Sequence, residues 1–163
     1  LFTYNDREGV MEMYILQDEL TDGRIDQLIT AHIEEMKEHS PPESIHALPL
    51  TDLKKQDVTV WSVRDGEELL GCGALKELSS EHGEIKSMRT AALHMRKGVA
   101  RYMLNHLLQE AKRRGYTRVS LETGAMAFFE PARKLYESAG FQYCPPFGTY
   151  QEDPNSLFMT KEL

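Results

Sequence analysis

Six consecutive residues, Arg96-Lys97-Gly98-Val99-Ala100-Arg101, bring three cations together with a glycine and an alanine where an apolar helical stripe begins. The first N–H groups of a helix have no partner within it, and they sit at the positive end of the helix dipole. Such a start can receive an anion, phosphate above all. Gly98 and Ala100 lack the bulk that would keep a pyrophosphate off the backbone, and Arg96, Lys97 and Arg101 add charge. The segment is not a Walker loop, since Gly-Lys-Ser/Thr is missing, nor the three-glycine dinucleotide fingerprint. Taken alone, these residues fit a phosphate-binding turn and an ordinary helix start with solvated cations equally well.

Two carboxylates stand out next. Glu84 lies beside an irregularity in a strand-like segment, and Glu122 ends the following one; each could serve as a general base or be a surface carboxylate at a strand end. Other chemistries have less support. There is no Gly-x-Ser-x-Gly elbow, and Cys72 and Cys144 carry neither a catalytic signature nor metal-ligand spacing, so they read as reduced thiols. His82 and Glu84 would need further ligands at compatible spacing, and no metal is expected. His32 falls on an apolar helical stripe and reads as a core residue.

The elements that must position these groups follow from periodicity. Residues 11–16 suggest a first strand. After the cap signals Thr21 and Asp22, Ile25, Leu28, Ile29, Ile33 and Met36 form the apolar face of a helix, which Ser40-Pro41-Pro42 ends. Residues 58–63 and 69–75, joined by Asp65-Gly66, read as a hairpin. Residues 83–90 read as a strand whose large apolar residues, Ile85 and Met88, are three apart, which predicts a β-bulge near Lys86 and Ser87. A helix begins at Gly98 with Val99, Met103, Leu107 and Ala111 in one row, and ends at Arg113-Arg114-Gly115. A short strand over 118–122, a helix from Pro131 to Gly140, and strands over 141–143 and 156–160 complete a mixed sheet covered by helices.

A chain of 163 residues fits one domain, 1–163, and 40% hydrophobic with 28% charged residues reads as globular. A net charge of -7 argues against nucleic acid as a partner and leans toward cationic small molecules. No apolar run reaches the roughly 18 residues a membrane span needs, and no leader is apparent, so no membrane association and a cytoplasmic location are expected. Residues 1–8 read as a disordered or trimmed terminus with no role.

The residue 96–101 segment resembles the pyrophosphate turn of the GNAT superfamily of N-acetyltransferases, Gln/Arg-x-x-Gly-x-Gly/Ala, with Met95 at its first position. Ala132-Arg133-Lys134-Leu135-Tyr136-Glu137-Ser138-Ala139-Gly140-Phe141 is similar to the second signature of that family, although Phe129 stands where an asparagine is often found. Most of the chain beyond about Thr21 resembles the YsnE-type acetyltransferases of bacilli. The resemblance implies an α/β (α+β) GNAT fold: a mixed, mostly antiparallel, twisted sheet of about six or seven strands flanked by about four helices. It also implies acetyl-CoA as donor and no metal, and by analogy a homodimer.

On that basis CoA would bind through Arg96, Lys97, Gly98, Val99, Ala100 and Arg101, with its pantetheine arm along the backbone of Met88, Arg89 and Thr90. The acceptor, a small-molecule or peptide amine and most simply a primary amine attacking directly in a ternary complex, would lie between residues 40–50 and 143–155. There Glu43, Ser44 and His46 offer polar contacts, and Phe147 and Tyr150 offer apolar walls. Glu84 is the first candidate base and Glu122 the second, a backbone N–H near Met88 would meet the oxyanion, and the family tyrosine matches Tyr136 as the acid for the departing thiolate. The alternative is a non-catalytic acyl-CoA sensor that keeps the phosphate turn.

Overall fold

In the computed structural model, residues 2–6 and 9–163 are described, with side chains from Glu12 onward. The elements in chain order are β1 (Phe2–Asp6), β2 (Gly9–Gln17), α1 (Arg24–Lys37), α2 (Leu50–Leu53), β3 (Val58–Asp65), β4 (Glu68–Ser79), β5 (His82–Thr90), α3 (Val99–Arg113), β6 (Arg118–Gly124), α4 (Glu130–Ser138), β7 (Gln142–Cys144) and β8 (Ser156–Glu162). The strands lie in the order β1-β2-β3-β4-β5-β6-β8-β7. Strands β2 to β8 and the four helices make the expected GNAT sheet, and β1 extends it by pairing with β2. Phe2–Asp6 thus form an edge strand, whereas Leu1, Arg7 and Glu8, the rest of the segment read as a loose terminus, lie outside the described residues.

Burial divides the core between the two faces of the sheet. Trp61, Val63, Leu70, Leu75 and Ile85 pack with the α3 row Val99, Met103, Leu104, Leu107 and Ala111. Val60, Cys72 and Ala74 pack on the other face with Ile25, Ile29 and Leu53 from α1 and α2. Because helices cover both faces, Val60 to Val63 are all buried, and β3 does not show the one-sided alternation of a half-exposed strand. The absence of a side chain at Gly73 lets α3 sit close, since a Cβ there would come within 2.7 Å of Met103.

All neighbouring strands are antiparallel except β5 and β6, which are joined by the α3 crossover and run parallel. Their register partners are His82↔Arg118, Gly83↔Val119 and Glu84↔Ser120. Beyond Glu84 the two strands diverge, and the wedge between them is where the candidate site lies. The predicted bulge is present in β5. The register passes from Cys72↔Arg89 to Ala74↔Lys86, so two steps on β4 face three on β5. Ser87 takes up the extra residue at φ 55°, and its carbonyl accepts from the Cys72 thiol at 3.2 Å. The bulge turns Ile85 and Met88 toward the same apolar cluster.

Candidate active site

Gly98 caps α3 in the left-handed conformation (φ 83°), two residues after Arg96 does the same at φ 63°. The first backbone bond of α3, from Tyr102 N–H to Gly98 O at 3.0 Å, leaves the N–H groups of Val99, Ala100 and Arg101 ahead of the helical ladder. A Cβ on Gly98 would meet nothing within 4 Å, so the backbone there faces open space. Val99 buries its side chain in the core and can offer only its N–H. Arg96 and Arg101 are exposed, Lys97 lies 3.5 Å from His94 Nδ1, and Arg101 reaches Ser138 of α4 at 3.2 Å.

From this turn a channel runs along β5. It is lined by Met88, Arg89, Thr90 and Ala100 on one side and by Phe128, Phe129, Ala132, Leu135 and Tyr136 on the other, with His32 and Glu35 of α1 above. A second cavity, of about 140 Å³, fills the wedge between β5 and β6 and is bordered by Glu84, Lys86, Met88, Glu122, Tyr136 and Tyr150, among others. Its size is close to that of a cavity of roughly 150 Å³ that admits benzene. His32, Met88, Phe129, Ala132 and Tyr136 line both spaces. Phe129, which stands where the family often has an asparagine, packs its ring beneath Gly124, which leaves no room there for a Cβ.

The carboxylates differ sharply in their surroundings. Glu84 is buried, and its Oε2 accepts from Tyr150 Oη at 2.6 Å and from Lys86 Nζ at 3.3 Å. Lys86 also donates to Tyr150 Oη at 2.6 Å, so the three groups close on one another. Burial raises the Glu122 carboxyl to about 7; the Ser156 hydroxyl and then Lys86 oppose that rise, and Glu84 and Asp153 add to it. Burial, with the Glu122 charge beside it, also raises the Tyr136 phenol, which therefore keeps its proton at neutral pH. Tyr150 is raised by burial and by Glu84.

Residues 40–50 and 143–155 meet over this cavity, and Ser44, His46 and Tyr150 border it. Ser44 Oγ donates to Asp153 Oδ2 at 2.7 Å and accepts from Asn155 Nδ2 at 3.3 Å, pinning one loop to the other. The His46 ring stands edge-on to Tyr150 at 5.1 Å. Phe147 packs behind Tyr150 and against Phe158 of β8, so it supports the wall without forming it. Glu43 is exposed and borders neither space. Lys86 has no role in the sequence reading, although its place two residues after Glu84, on the same strand face, carries a usable signal. His32 is not a satisfied core residue, because its buried Nδ1 has no hydrogen-bond partner.

Residues 24–141 match the Acetyltransferase (GNAT) family. The chain is 61% identical over 151 residues to the uncharacterized N-acetyltransferase YsnE of Bacillus subtilis, covering 93% of this chain and 100% of that protein. It is 48% identical to the uncharacterized N-acetyltransferase YedL of Escherichia coli, covering 91% and 94%. The crystal structure of a Bacillus subtilis acetyltransferase in complex with CoA shares its fold, with a TM-score of 0.70 at 15% identity over 93% of this chain and 99% of that one. With the family model matched over most of its length and two curated N-acetyltransferases similar along nearly all of it, the chain belongs to the GNAT acetyltransferase family and is an N-acetyltransferase.

Proposed function

We propose that the chain binds acetyl-CoA through residues 96–101 and 88–90 and transfers its acetyl group directly to a primary amine held in the wedge cavity. The observation that carries this reading is that channel and cavity meet at Tyr136. A donor entering along β5 and an acceptor entering beneath the 40–50 loop would then face each other at a group that can supply a proton.

An alkylammonium, with a pKa of about 10.4, must lose a proton before its lone pair can attack. Glu122 is the better placed base, since its carboxyl titrates at about 7 and borders the cavity, whereas Glu84 is engaged by Tyr150 and Lys86. The neutral amine attacks the thioester carbon, and the backbone N–H near Met88 stabilises the oxyanion. As the C–S bond breaks, Tyr136 protonates the thiolate, and the second proton of the nitrogen restores the phenol through water. Two carboxylates, Glu84 and Glu122, border the cavity against one lysine, Lys86, which favours a cationic acceptor over an anionic one.

The test is a panel of primary amines with acetyl-CoA, following free thiol and the mass of the acetylated amine. Acetylated product is expected from amines that fit the cavity. Binding of CoA without any product across the panel would support a sensor in place of an enzyme acting on amines.

A further inference from the structure

His32 lies on the face of α1 that carries Ile25 and Ile29 into the core, and its ring borders both the channel and the wedge cavity. Two contacts hold that part of α1 over the junction. Glu35 pairs with Arg89 of β5, and the His39 ring stacks on Phe128 at 3.9 Å and 8°. The imidazole therefore sits on a strapped helix at the place where the two spaces join.

Its two nitrogens have different surroundings. Nδ1 is buried with no hydrogen-bond partner, Nε2 does not share that state, and the ring as a whole borders both spaces. A buried N–H without an acceptor is rarer and costlier than a buried lone pair without a donor. The tautomer that fits has a bare Nδ1 and carries its proton on Nε2. Burial, with Arg89 nearby, lowers the ring to about 4, so it is neutral over the range in which Glu122 titrates. A neutral imidazole N–H held in place by its helix is a donor that needs little reorganisation when charge develops on a nearby oxygen.

We propose that His32 donates from Nε2–H to the acyl oxygen of the bound thioester, as a second donor beside the backbone N–H near Met88. This rests on reading the channel and the wedge as donor and acceptor sites. It assigns His32 to polarisation of the carbonyl and not to proton removal from the amine.

The test uses acetyl-CoA carrying carbon-13 at the acyl carbonyl, bound to the full chain without acceptor. In the unmodified protein the bound carbonyl resonance is expected to lie downfield of the free one. In His32→Phe it should return toward the free position, and His32→Gln, which puts an amide N–H near the place of Nε2, should keep most of the shift. Affinity for CoA, which has no acyl oxygen, should stay within about twofold in both variants, a readout that structural damage would disturb. With an amine taken from the panel, His32→Phe should lower kcat by roughly 10- to 10³-fold with little change in the amine KM.

Nitrogen-15 spectra of the unmodified protein give the tautomer directly, so the test stands even if a variant fails to fold. An Nδ1–H or doubly protonated ring at neutral pH would overturn the proposal, as would one carbonyl shift shared by the unmodified protein and His32→Phe. Loss of the apparent pKa near 7 in His32→Phe, with that pKa kept in Glu122→Gln, would make His32 the base instead. Failure of the unmodified protein to bind acetyl-CoA at all would instead remove the reading of the two cavities on which this assignment depends.

Discussion

Tyr150 Oη donates to Glu84 Oε2 at 2.6 Å across 66 residues of chain, and this bond separates the roles of the two candidate carboxylates. With Lys86 on the same oxygen, Glu84 belongs to a closed cluster, and Glu122 is left facing the cavity with a carboxyl at about 7. Glu122→Gln should therefore lower kcat by roughly 10²- to 10⁴-fold and abolish the rise in rate through pH 7. Glu84→Gln should keep a rise in rate with pH, displaced toward lower pH because the Glu84 charge no longer raises Glu122, while destabilising the fold by about 3 kcal/mol, since it leaves the buried Lys86 charge without its counter-ion. Rate-pH profiles and denaturant melts of the two variants check this, and a profile lost in Glu84→Gln would reverse the assignment.

The same carboxyl links stability to pH. Below about pH 4 Glu122 is protonated both folded and unfolded, so it has no effect there. As pH rises from the ordinary carboxylate value of 4.5 toward 7, the unfolded chain releases the proton and the folded chain keeps it. Stability falls across that window and levels off above it, by about 3 kcal/mol as an upper figure. Glu122→Gln should accordingly be more stable than the unmodified protein at pH 8 and equal to it at pH 4. Urea unfolding at the two values measures the difference.

Tyr136 is buried with its ring 5.8 Å from Phe141, and it borders both spaces. Tyr136→Phe keeps the packing and removes one hydroxyl that acts mainly in the transition state. CoA affinity should be retained, and turnover should drop by roughly 10- to 10⁴-fold. Full turnover on a confirmed acceptor, with chemistry rate-limiting, would exclude Tyr136 as the acid.

At Gly98 the argument is geometric. Its φ of 83° strains any L side chain, by about 1 to 2 kcal/mol, and its missing Cβ opens the backbone to the surroundings. Gly98→Val should fold with a modest loss of stability and bind CoA at least about tenfold more weakly, because both the strain and the methyl groups act on the N–H groups that would hold pyrophosphate. Calorimetry with unchanged affinity in the folded variant would move the site elsewhere.

The parts of this site that local chain chemistry controls were legible in the sequence. The helix start at Gly98 was readable because caps and dipoles depend on a few neighbouring residues. The bulge followed from the spacing of Ile85 and Met88, which a regular strand would send to opposite faces. The grouping of Glu84, Lys86 and Tyr150 was not legible, because β8 lies between β6 and β7 and carries the preceding loop back over the sheet. The difference between Glu84 and Glu122 is hidden for the same reason: the burial of Glu122 comes from residues distant in the chain. His32 was read as core from its stripe, and periodicity gives the face of a helix but not whether a polar atom on that face finds a partner.

The seam between β5 and β6 has a mechanical consequence. Strands β1 to β5 and strands β6 to β8 are each bonded internally along their length, yet the two groups share only three register positions. They are joined further by His82 on Ser120 at 2.7 Å, by Tyr150 on Glu84 and Lys86, and by the apolar face of α3, whose Val99, Met103, Leu104 and Leu107 touch the same cluster as Leu75 and Ile85 on one side and Val119, Leu121 and Met159 on the other. Apolar contact has no preferred direction, so small changes in the width of the wedge break no sheet hydrogen bond. Among the described strands, compliance is therefore greatest along the line on which the proposed donor and acceptor would meet, and the strands on either side keep their stiffness.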